Sequence, residues 1–350
     1  MNAHKPDKGD NSNTAATAAT GRPRRVRNPV PGEGERGLYS QSWFAICTSA
    51  ELQPGTVLGR DFLGGKVVVF RGEDGVARVM SAYCLHVGAD LSGGRVVGNE
   101  LRCPFHHWQY GADGGCTRTG IGDPPPRQAR LFAFPTREKY GVVFAFNGVE
   151  PLFELADLDL ASERTTAKVS FMPMRAEPWT FCANVPDFQH FVGVHRTLRD
   201  DIGHYERIRW STYGLDFEFT AFPELGRAPP VPFKVAVLGT SLILVQSRLP
   251  DGTWFGSLAA MTLPRPGETN VFIVVAVEKG DGSAASAAAE QALLEELTRR
   301  FCAMAAEDLE LLESAHYVPG TLTRHDQALA RFLEMLRSYP RANPAAEFIR

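Results

Sequence analysis

The sequence predicts an α+β protein in which an antiparallel β domain precedes a domain of mixed strands and helices. Short β-branched and apolar runs, separated by turns rich in Gly, Pro and Asp, fill residues 37–155. Longer apolar runs and one strongly helical stretch fill residues 156–345. A chain of 350 residues is long enough for two hydrophobic cores.

The first 36 residues predict a disordered tail, because Ala, Thr, Asn, Gly and Pro dominate around a cluster of four arginines at 22–27. No apolar run follows these arginines and no run of 18 apolar residues occurs, so neither an export signal nor a membrane span is predicted. The net charge of −3 gives no reason to expect nucleic acid as a partner. Six cysteines in a long chain without a signal favour metal ligands or free thiols over disulfides. We therefore expect a cytoplasmic protein without a membrane partner.

The first domain is predicted from its strands. Residues 66–70 are β-branched and apolar, the Glu-Asp-Gly sequence at 73–75 is typical of a hairpin turn, and residues 76–80 form the return strand. Residues 141–146 predict a further strand. Glycines at 88–98 and later prolines predict long loops between these strands.

The second domain combines strands with helices. Residues 242–246 and 271–277 read as strands. Residues 284–315 predict a long helix, because Ala and Glu dominate and large apolar residues recur at spacings of three and four. Residues 326–336 predict a last helix.

Two short segments of the first domain each contain one cysteine and one histidine: Cys84 with His86, and Cys103 with His106. A Cys₂His₂ zinc site is one interpretation, but such sites normally group the cysteines in one knuckle and the histidines in another. Two irons bridged by sulfide, one bound by both cysteines and the other by both histidines, fit the mixture better. The sequence therefore favours a [2Fe–2S] cluster.

The segment CPFHHWQYGADG, beginning at Cys103, resembles the CPFHGW-type loop of the Rieske non-haem iron oxygenases. The resemblance implies that Cys84, His86, Cys103 and His106 bind a Rieske [2Fe–2S] cluster. His107 departs from the family pattern, which usually has Gly there, and is expected to be a surface residue or a neighbour of the cluster rather than a ligand.

The second domain contains the motif Asn184-x₂-Asp187-x₂-His190-x₄-His195. Two histidines and one carboxylate with open coordination positions are what ferrous iron needs to bind dioxygen beside a substrate. On a helix the first three residues share one face, whereas His195 lies about 140° away from it. Gly193 predicts a local distortion that turns His195 towards His190.

The third ligand is expected on the long helix, which carries seven acidic residues. Only Asp308 is in phase with the apolar stripe formed by Leu294, Leu297, Phe301 and Met304. A buried carboxylate without a partner is costly, so metal binding explains this position. The motif and the helix resemble the mononuclear-iron site of the same oxygenase family, which extends the resemblance over nearly the whole chain after the tail.

That resemblance implies specific roles and an overall architecture. His190, His195 and Asp308 would bind the mononuclear iron. Asp187 would form a bridge, hydrogen-bonding His190 on one side and His106 of a neighbouring subunit on the other, and Asn184 would support the site. The expected architecture is an N-terminal Rieske domain followed by a helix-grip (START-like) catalytic domain, assembled as a homotrimer.

The family also implies the activity: a terminal oxygenase component that uses O₂ and electrons from an NAD(P)H-dependent reductase, with or without a ferredoxin. No nicotinamide or flavin motif occurs in the sequence, so a separate partner must supply the electrons. The expected reaction is monooxygenation of a hydrophobic aromatic or polycyclic metabolite, similar to the 3-ketosteroid hydroxylase and cholesterol desaturase branch, in a pocket formed by residues near 200–260. Dioxygenation, N-oxygenation of an arylamine of the aminopyrrolnitrin oxygenase type and oxidative O-demethylation remain open. A Rieske electron-transfer protein is the non-enzyme alternative.

Overall fold

Small antiparallel sheets form the N-terminal half of the molecule. The structure, a computed structural model, describes residues 30–196, 207–221, 229–318 and 320–350. The N-terminal strands are β1 (Tyr39–Ser40), β2 (Trp43–Thr48), β3 (Val57–Phe62), β4 (Gly65–Arg71), β5 (Ala77–Ser81), β6 (Arg95–Val97), β7 (Glu100–Arg102), β8 (Gln109–Tyr110), β9 (Cys116–Arg118), β10 (Ala133–Phe134), β11 (Thr136–Lys139) and β12 (Val142–Phe146). They form sheets of order β10-β5-β4-β3, β11-β12-β2 and β6-β7-β8-β9. The predicted hairpin of β4 and β5 and the strand at 142–146 are confirmed.

A seven-stranded antiparallel sheet dominates the C-terminal half. Its strands are β13 (Thr165–Met174), β14 (Arg209–Ser211), β15 (Gly214–Ala221), β16 (Val231–Leu238), β17 (Leu242–Arg248), β18 (Trp254–Met261) and β19 (Thr269–Glu278), in the order β13-β19-β18-β17-β16-β15-β14. The helices are α1 (Pro178–Ala183), α2 (Phe188–Gly193), α3 (Ala284–Leu312) and α4 (Gln327–Arg337). The long helix α3 packs against β19 and β13, which is the helix-on-sheet arrangement predicted for this half.

The sequence of strand β19 is continuously apolar instead of alternating because both faces of the strand are buried. Val271, Ile273 and Val275 face the same core as Leu294 and Leu297 of α3. The alternate residues of β19 form a second core with residues of β2 and β12: Phe272, Val274, Ala276, Trp43, Ala45, Val142, Phe144 and Phe146. A strand buried on both faces needs apolar side chains at successive positions. The two halves of the molecule therefore share a hydrophobic core across this sheet.

The predicted tail is too long at its C-terminal end. Residues 1–29 lie outside the described residues, but residues 30–36 pack against the folded chain, with Val30 and Glu33 buried. The Glu33 carboxylate accepts hydrogen bonds from the backbone N–H of Ser40 at 2.9 Å and pairs with Arg341 at 3.2 Å. Prediction from composition alone could not include these long-range contacts.

The C-terminal end of the chain returns to the first domain. Strand β20 (Arg341–Ala342) pairs antiparallel with β1. The backbone N–H of Lys66 donates to the carbonyl oxygen of Ile349 at 2.7 Å, and Ile349 is fully buried in the N-terminal core. The two predicted domains are thus joined by this pairing as well as by the shared core.

Candidate functional site

The two Cys-His segments of the first domain occupy neighbouring loops. Cys84 and His86 follow β5, whereas Cys103 and His106 lie between β7 and β8. Both cysteines are buried. Burial raises the pKa of the Cys84 thiol, opposed by hydrogen bonds from Tyr110 and the backbone N–H of His86, and the adjacent Cys103 thiol raises it further. The sulfur atoms of the two loops therefore lie side by side.

The two histidines of these loops also meet. The ring centroids of His86 and His106 are 4.7 Å apart, and both residues are exposed. Trp108 stacks on His86 with its ring centroid at 4.6 Å and an angle of 11° between the planes. The loops thus bring together a buried thiol pair and an exposed imidazole pair. A two-iron cluster with inequivalent irons needs this donor set, so the four residues fit the predicted group.

Backbone geometry shapes the second loop. His107 adopts φ 59°, a left-handed conformation that glycine adopts at little cost. A Cβ atom on Gly120 would lie 2.0 Å from the carbonyl oxygen of His106, so the 118–120 segment approaches the loop where only glycine fits. His107 is exposed and directly follows the candidate ligand His106.

The motif of the second domain is not one continuous helix. Helix α1 ends at Ala183, Asn184 follows it, and Asp187 is the N-cap of α2. Helix α2 ends at Gly193, where the backbone N–H groups of Val194 and His195 both point to the carbonyl oxygen of His190, at 2.8 and 3.4 Å. This widened last turn brings the ring centroids of His190 and His195 to 4.7 Å. The predicted distortion at Gly193 is confirmed, and the interruption before Asp187 was not predicted.

Asp308 completes a three-residue cluster. Its Oδ1 atom lies 3.6 Å from Nε2 of His190 and 3.2 Å from Nε2 of His195. One side-chain atom of each residue lies within 4.8 Å of those of the other two, so the three could hold a single metal ion. Oδ1 of Asp308 is buried without a hydrogen-bond partner in the described chain. A buried, unsatisfied carboxylate oxygen facing two imidazole nitrogens fits a bound divalent cation.

The other nitrogen of each imidazole is already hydrogen-bonded. Nδ1 of His190 lies 2.8 Å from the carbonyl oxygen of Asp187, and Nδ1 of His195 lies 3.0 Å from Oε2 of Glu307. A proton on each Nδ1 leaves Nε2 with a free lone pair directed at the cluster. The neighbours therefore hold both imidazoles in the tautomer that binds metal.

The two imidazoles have opposite pKa shifts. Burial lowers the pKa of His190. Burial also acts to lower the pKa of His195, but its contacts with Asp308 and Glu307 outweigh this effect and raise it. The sequence indicates Glu307 only as one of seven acidic residues of the long helix that could supply the third metal ligand. Its role beside His195 was missed, because two adjacent helical acids cannot be told apart without knowing where His195 lies.

Asp187 contacts His190 in a different way from the prediction. The histidine ring meets its backbone carbonyl, whereas its carboxylate accepts from the backbone N–H groups of Gln189 at 3.1 Å and His190 at 3.3 Å. The N-cap position explains this correction, because the start of α2 leaves these donors without helical partners. Burial raises the pKa of the Asp187 carboxyl. Asn184 lies at the cavity beside His190.

A cavity of about 310 Å³ opens onto the histidine–aspartate cluster between the sheet and α3. Its walls are mostly apolar, with Phe191, Phe219, Phe233, Phe255 and Phe301 in successive ring contacts of 5.5 to 6.3 Å. Strands β15 to β18 supply walls from the predicted 200–260 region, of which residues 200–206 and 222–228 lie outside the described chain. The contribution of α3 and α2 was not predicted.

Among the described residues, one polar side chain interrupts the sheet wall of this cavity. Ser257 on β18 is 3% exposed and lines the cavity. No hydrogen bond of its hydroxyl to another described residue is found. In contrast, the Ser247 hydroxyl on the neighbouring strand donates to the carbonyl oxygen of Pro232 at 2.6 Å. The Ser257 hydroxyl is therefore free to bind a polar atom in the cavity.

Comparison with known proteins identifies the first domain. Residues 42–132 match the family model of the Rieske [2Fe-2S] domain, so this part of the chain is a Rieske domain. The chain is 36% identical over 203 residues to cholesterol 7-desaturase of Bombyx mori, covering 57% of this chain and 43% of that protein. It is 35% identical over 165 residues to the oxygenase component of 3-ketosteroid-9-alpha-monooxygenase of Mycobacterium tuberculosis, covering 45% of this chain and 43% of that protein. The chain thus spans less than half the length of these two relatives.

The fold extends beyond the matched domain. The solved structure of NdmA from Pseudomonas putida CBB5 with caffeine superposes with a TM-score of 0.61 at 22% identity, covering 85% of this chain and 90% of that chain. At this identity the likeness shows a common fold. In the described part of the chain, no helix combines the length and the apolar character needed to cross a membrane.

Proposed function

We propose that this chain is the terminal oxygenase component of a multicomponent system, which uses O₂ and electrons from a separate NAD(P)H-dependent reductase to oxidise a hydrophobic metabolite. The observation that carries the proposal is the His190, His195 and Asp308 cluster at an apolar cavity, in the same chain as a Rieske domain. An electron carrier needs only the cluster domain, so it gives no reason for a buried metal site beside a cavity.

Ferrous iron bound by His190, His195 and Asp308 would supply the site at which dioxygen is activated. The chain's own residues prepare this site. Asp187 and Glu307 orient the imidazoles through their Nδ1 atoms, as neighbours of metal-binding histidines usually do. The phenylalanine walls exclude water and bind an apolar substrate next to the cluster.

The cavity supports a hydrophobic aromatic or polycyclic substrate, and monooxygenation is the proposed reaction. A volume of about 310 Å³ is at the lower end of small-molecule sites, which span roughly 300–1,000 Å³. The two relatives are named for action on cholesterol and on 3-ketosteroids, both polycyclic. A steroid-like skeleton with few polar groups suits these walls, in whose described part Ser257 supplies one unpaired hydroxyl.

We propose a homotrimer in which His106 of one subunit approaches Asp187 of the next. Exposed apolar side chains surround the histidines of the cluster domain: Leu85, Val87 and Phe105 are 40%, 57% and 62% exposed. Such a patch is typical of an interaction surface. Analytical ultracentrifugation of the cluster-loaded protein tests the assembly, since a monomer would contradict it.

We further propose that the protein acts in the cytoplasm. None of the six cysteines forms a disulfide, including Cys47, Cys182 and Cys302 outside the cluster loops. Free thiols without disulfides are typical of proteins in a reducing compartment. Fractionation of the native host tests this, and recovery in an exported fraction would contradict it.

The activity is tested by incubating the iron-loaded protein with NADH, O₂ and a surrogate reductase, together with sterols, 3-ketosteroids, arylamines and aryl methyl ethers. We expect a product heavier by one oxygen atom, or a desaturated product, from a polycyclic compound. A nitro product would favour the arylamine alternative and loss of methyl the O-demethylase. The Asp308→Ala variant should lose all product while retaining the cluster's visible absorbance. Unchanged activity in this variant would contradict the proposal and favour an electron carrier.

A further inference from the structure

A row of arginines crosses the outer face of the small sheet that holds the cluster loops. Arg95 on β6 lies directly opposite Arg102 on β7, Arg102 lies opposite Gln109 on β8, and Gln109 lies opposite Arg118 on β9. Residues directly opposite each other on antiparallel strands share a face and are neighbours. Three guanidinium groups therefore lie in one row, across four strands spaced about 4.8 Å apart.

The other face of the same sheet is buried. Val96, Leu101, Tyr110 and Cys116 pack in the core of the cluster domain. The arginine face points away from this core, and Arg95 and Arg118 are exposed while Arg102 is half-buried. The two ends of the row, Arg95 and Arg118, are thus open surface of the single chain, whereas Gln109, between Arg102 and Arg118, is buried.

None of the three arginines is neutralised by another described residue. In the described chain, Arg95, Arg102 and Arg118 form no ion pair with another residue. Most other arginines of the described chain do form an ion pair. Glu100 shares the face, opposite Val97, but forms no such pair. The Nε of Arg102 is buried without an acceptor. Like charges directly opposite each other destabilise a sheet, so the row has a cost that folding alone does not explain.

The row begins one residue away from the cluster. Arg102 immediately precedes the ligand Cys103, and Gln109 immediately follows Trp108, whose indole stacks on His86. The backbone N–H of Cys103 donates to the carbonyl oxygen of Trp108 at 2.8 Å, which extends the β7–β8 ladder from the arginine row to the ligand loop. A molecule held on the row therefore lies next to the cluster.

We infer that Arg95, Arg102 and Arg118 form the docking surface for an acidic electron-carrier protein that reduces the cluster. The inference rests on the proposed need for a separate electron donor. Three unpaired cations complement a carboxylate-rich surface, and such complementarity raises the association rate of the encounter. The step itself is the transfer of one electron: the carrier is oxidised, the cluster is reduced, and no bond forms or breaks.

The test measures reduction of the cluster by stopped-flow absorbance, with a reduced acidic plant-type [2Fe–2S] ferredoxin as the donor. The Arg95→Gln/Arg118→Gln variant changes the two exposed members of the row and leaves buried groups alone. The control variant, Arg299→Gln/Arg337→Gln, makes the same change in net charge on exposed faces of α3 and α4. Reduction by methyl viologen radical, a small cation, monitors the intrinsic reactivity of each cluster.

We expect the second-order rate constant of the first variant to fall about tenfold at low ionic strength and to converge with wild type at high salt. The control variant should react as wild type does, and methyl viologen should reduce all three proteins without a decrease in rate. An equal decrease in both variants, no decrease, or a decrease that persists at high salt would overturn the inference. Cluster reduction needs neither substrate nor mononuclear iron, so this outcome is independent of the test for product formation.

Discussion

Glu307 provides a sharp test of how the proposed metal site is built. Its Oε2 atom lies 3.0 Å from Nδ1 of His195, whose side chain is 4% exposed, whereas the Glu307 side chain is 57% exposed. Loss of a hydrogen-bond partner behind a metal-binding histidine typically weakens metal binding about 10- to 100-fold. Because solvent screens this exposed carboxylate, we expect the lower end for Glu307→Ala: about tenfold, or roughly 1.4 kcal/mol.

The assay is a titration of Fe²⁺ into anaerobic protein that contains the [2Fe–2S] cluster but no mononuclear iron. Glu307→Gln keeps an oxygen acceptor without the charge, so its dissociation constant should fall between those of wild type and Glu307→Ala. Glu310→Gln, an exposed acid three residues further along the same helix, is the matched control and should bind as wild type does. Equal affinities for all four proteins would refute the positioning role of Glu307.

Three further predictions follow from individual residues. Burial, with nearby Glu33, raises the pKa of Glu177 to about 7, so the folded state favours the neutral acid. The contribution of Glu177 to stability should then be fully present below pH 4.5 and fall by about 2 to 3 kcal/mol as the pH rises to 7. Glu177→Gln should therefore raise the melting temperature at pH 8 but not at pH 5. His107→Gly relieves a left-handed conformation and should stabilise the protein by about 1 kcal/mol in thermal unfolding; a lower melting temperature would contradict this. Ser257→Ala should weaken calorimetric binding of a 3-ketosteroid about two- to tenfold, whereas Ser247→Ala should not, and equal losses would exclude a ligand contact.

The candidate metal ligands could be proposed from the sequence because metal chemistry demands particular residues at fixed spacing. The Cys84 and Cys103 segments needed no knowledge of the fold, and the periodicity of α3 selected Asp308 from seven acids. In each case a local pattern contained the decisive information. The resemblance to one oxygenase family added the order of the two sites and the fold of the second domain.

The parts that could not be predicted depend on contacts between distant segments. The pairing of β20 with β1 joins residues about 300 positions apart, and neither strand has a distinctive pattern of its own. Burial of Glu33 depends on Arg341 in the same way. The Asp187 side chain was misplaced because its N-cap role appears only once α1 is known to end before it. Propensity and periodicity describe residues that are close in sequence, so they cannot predict contacts between distant segments.

Iron content, measured together with the visible absorbance of the cluster, tests the central claim most directly. The account predicts about three irons per chain in the reconstituted wild-type protein and about two in Asp308→Ala, with the same cluster absorbance in both. Two irons in both proteins would contradict a mononuclear site at His190, His195 and Asp308. Zinc in place of the cluster iron would contradict the assignment of the first site.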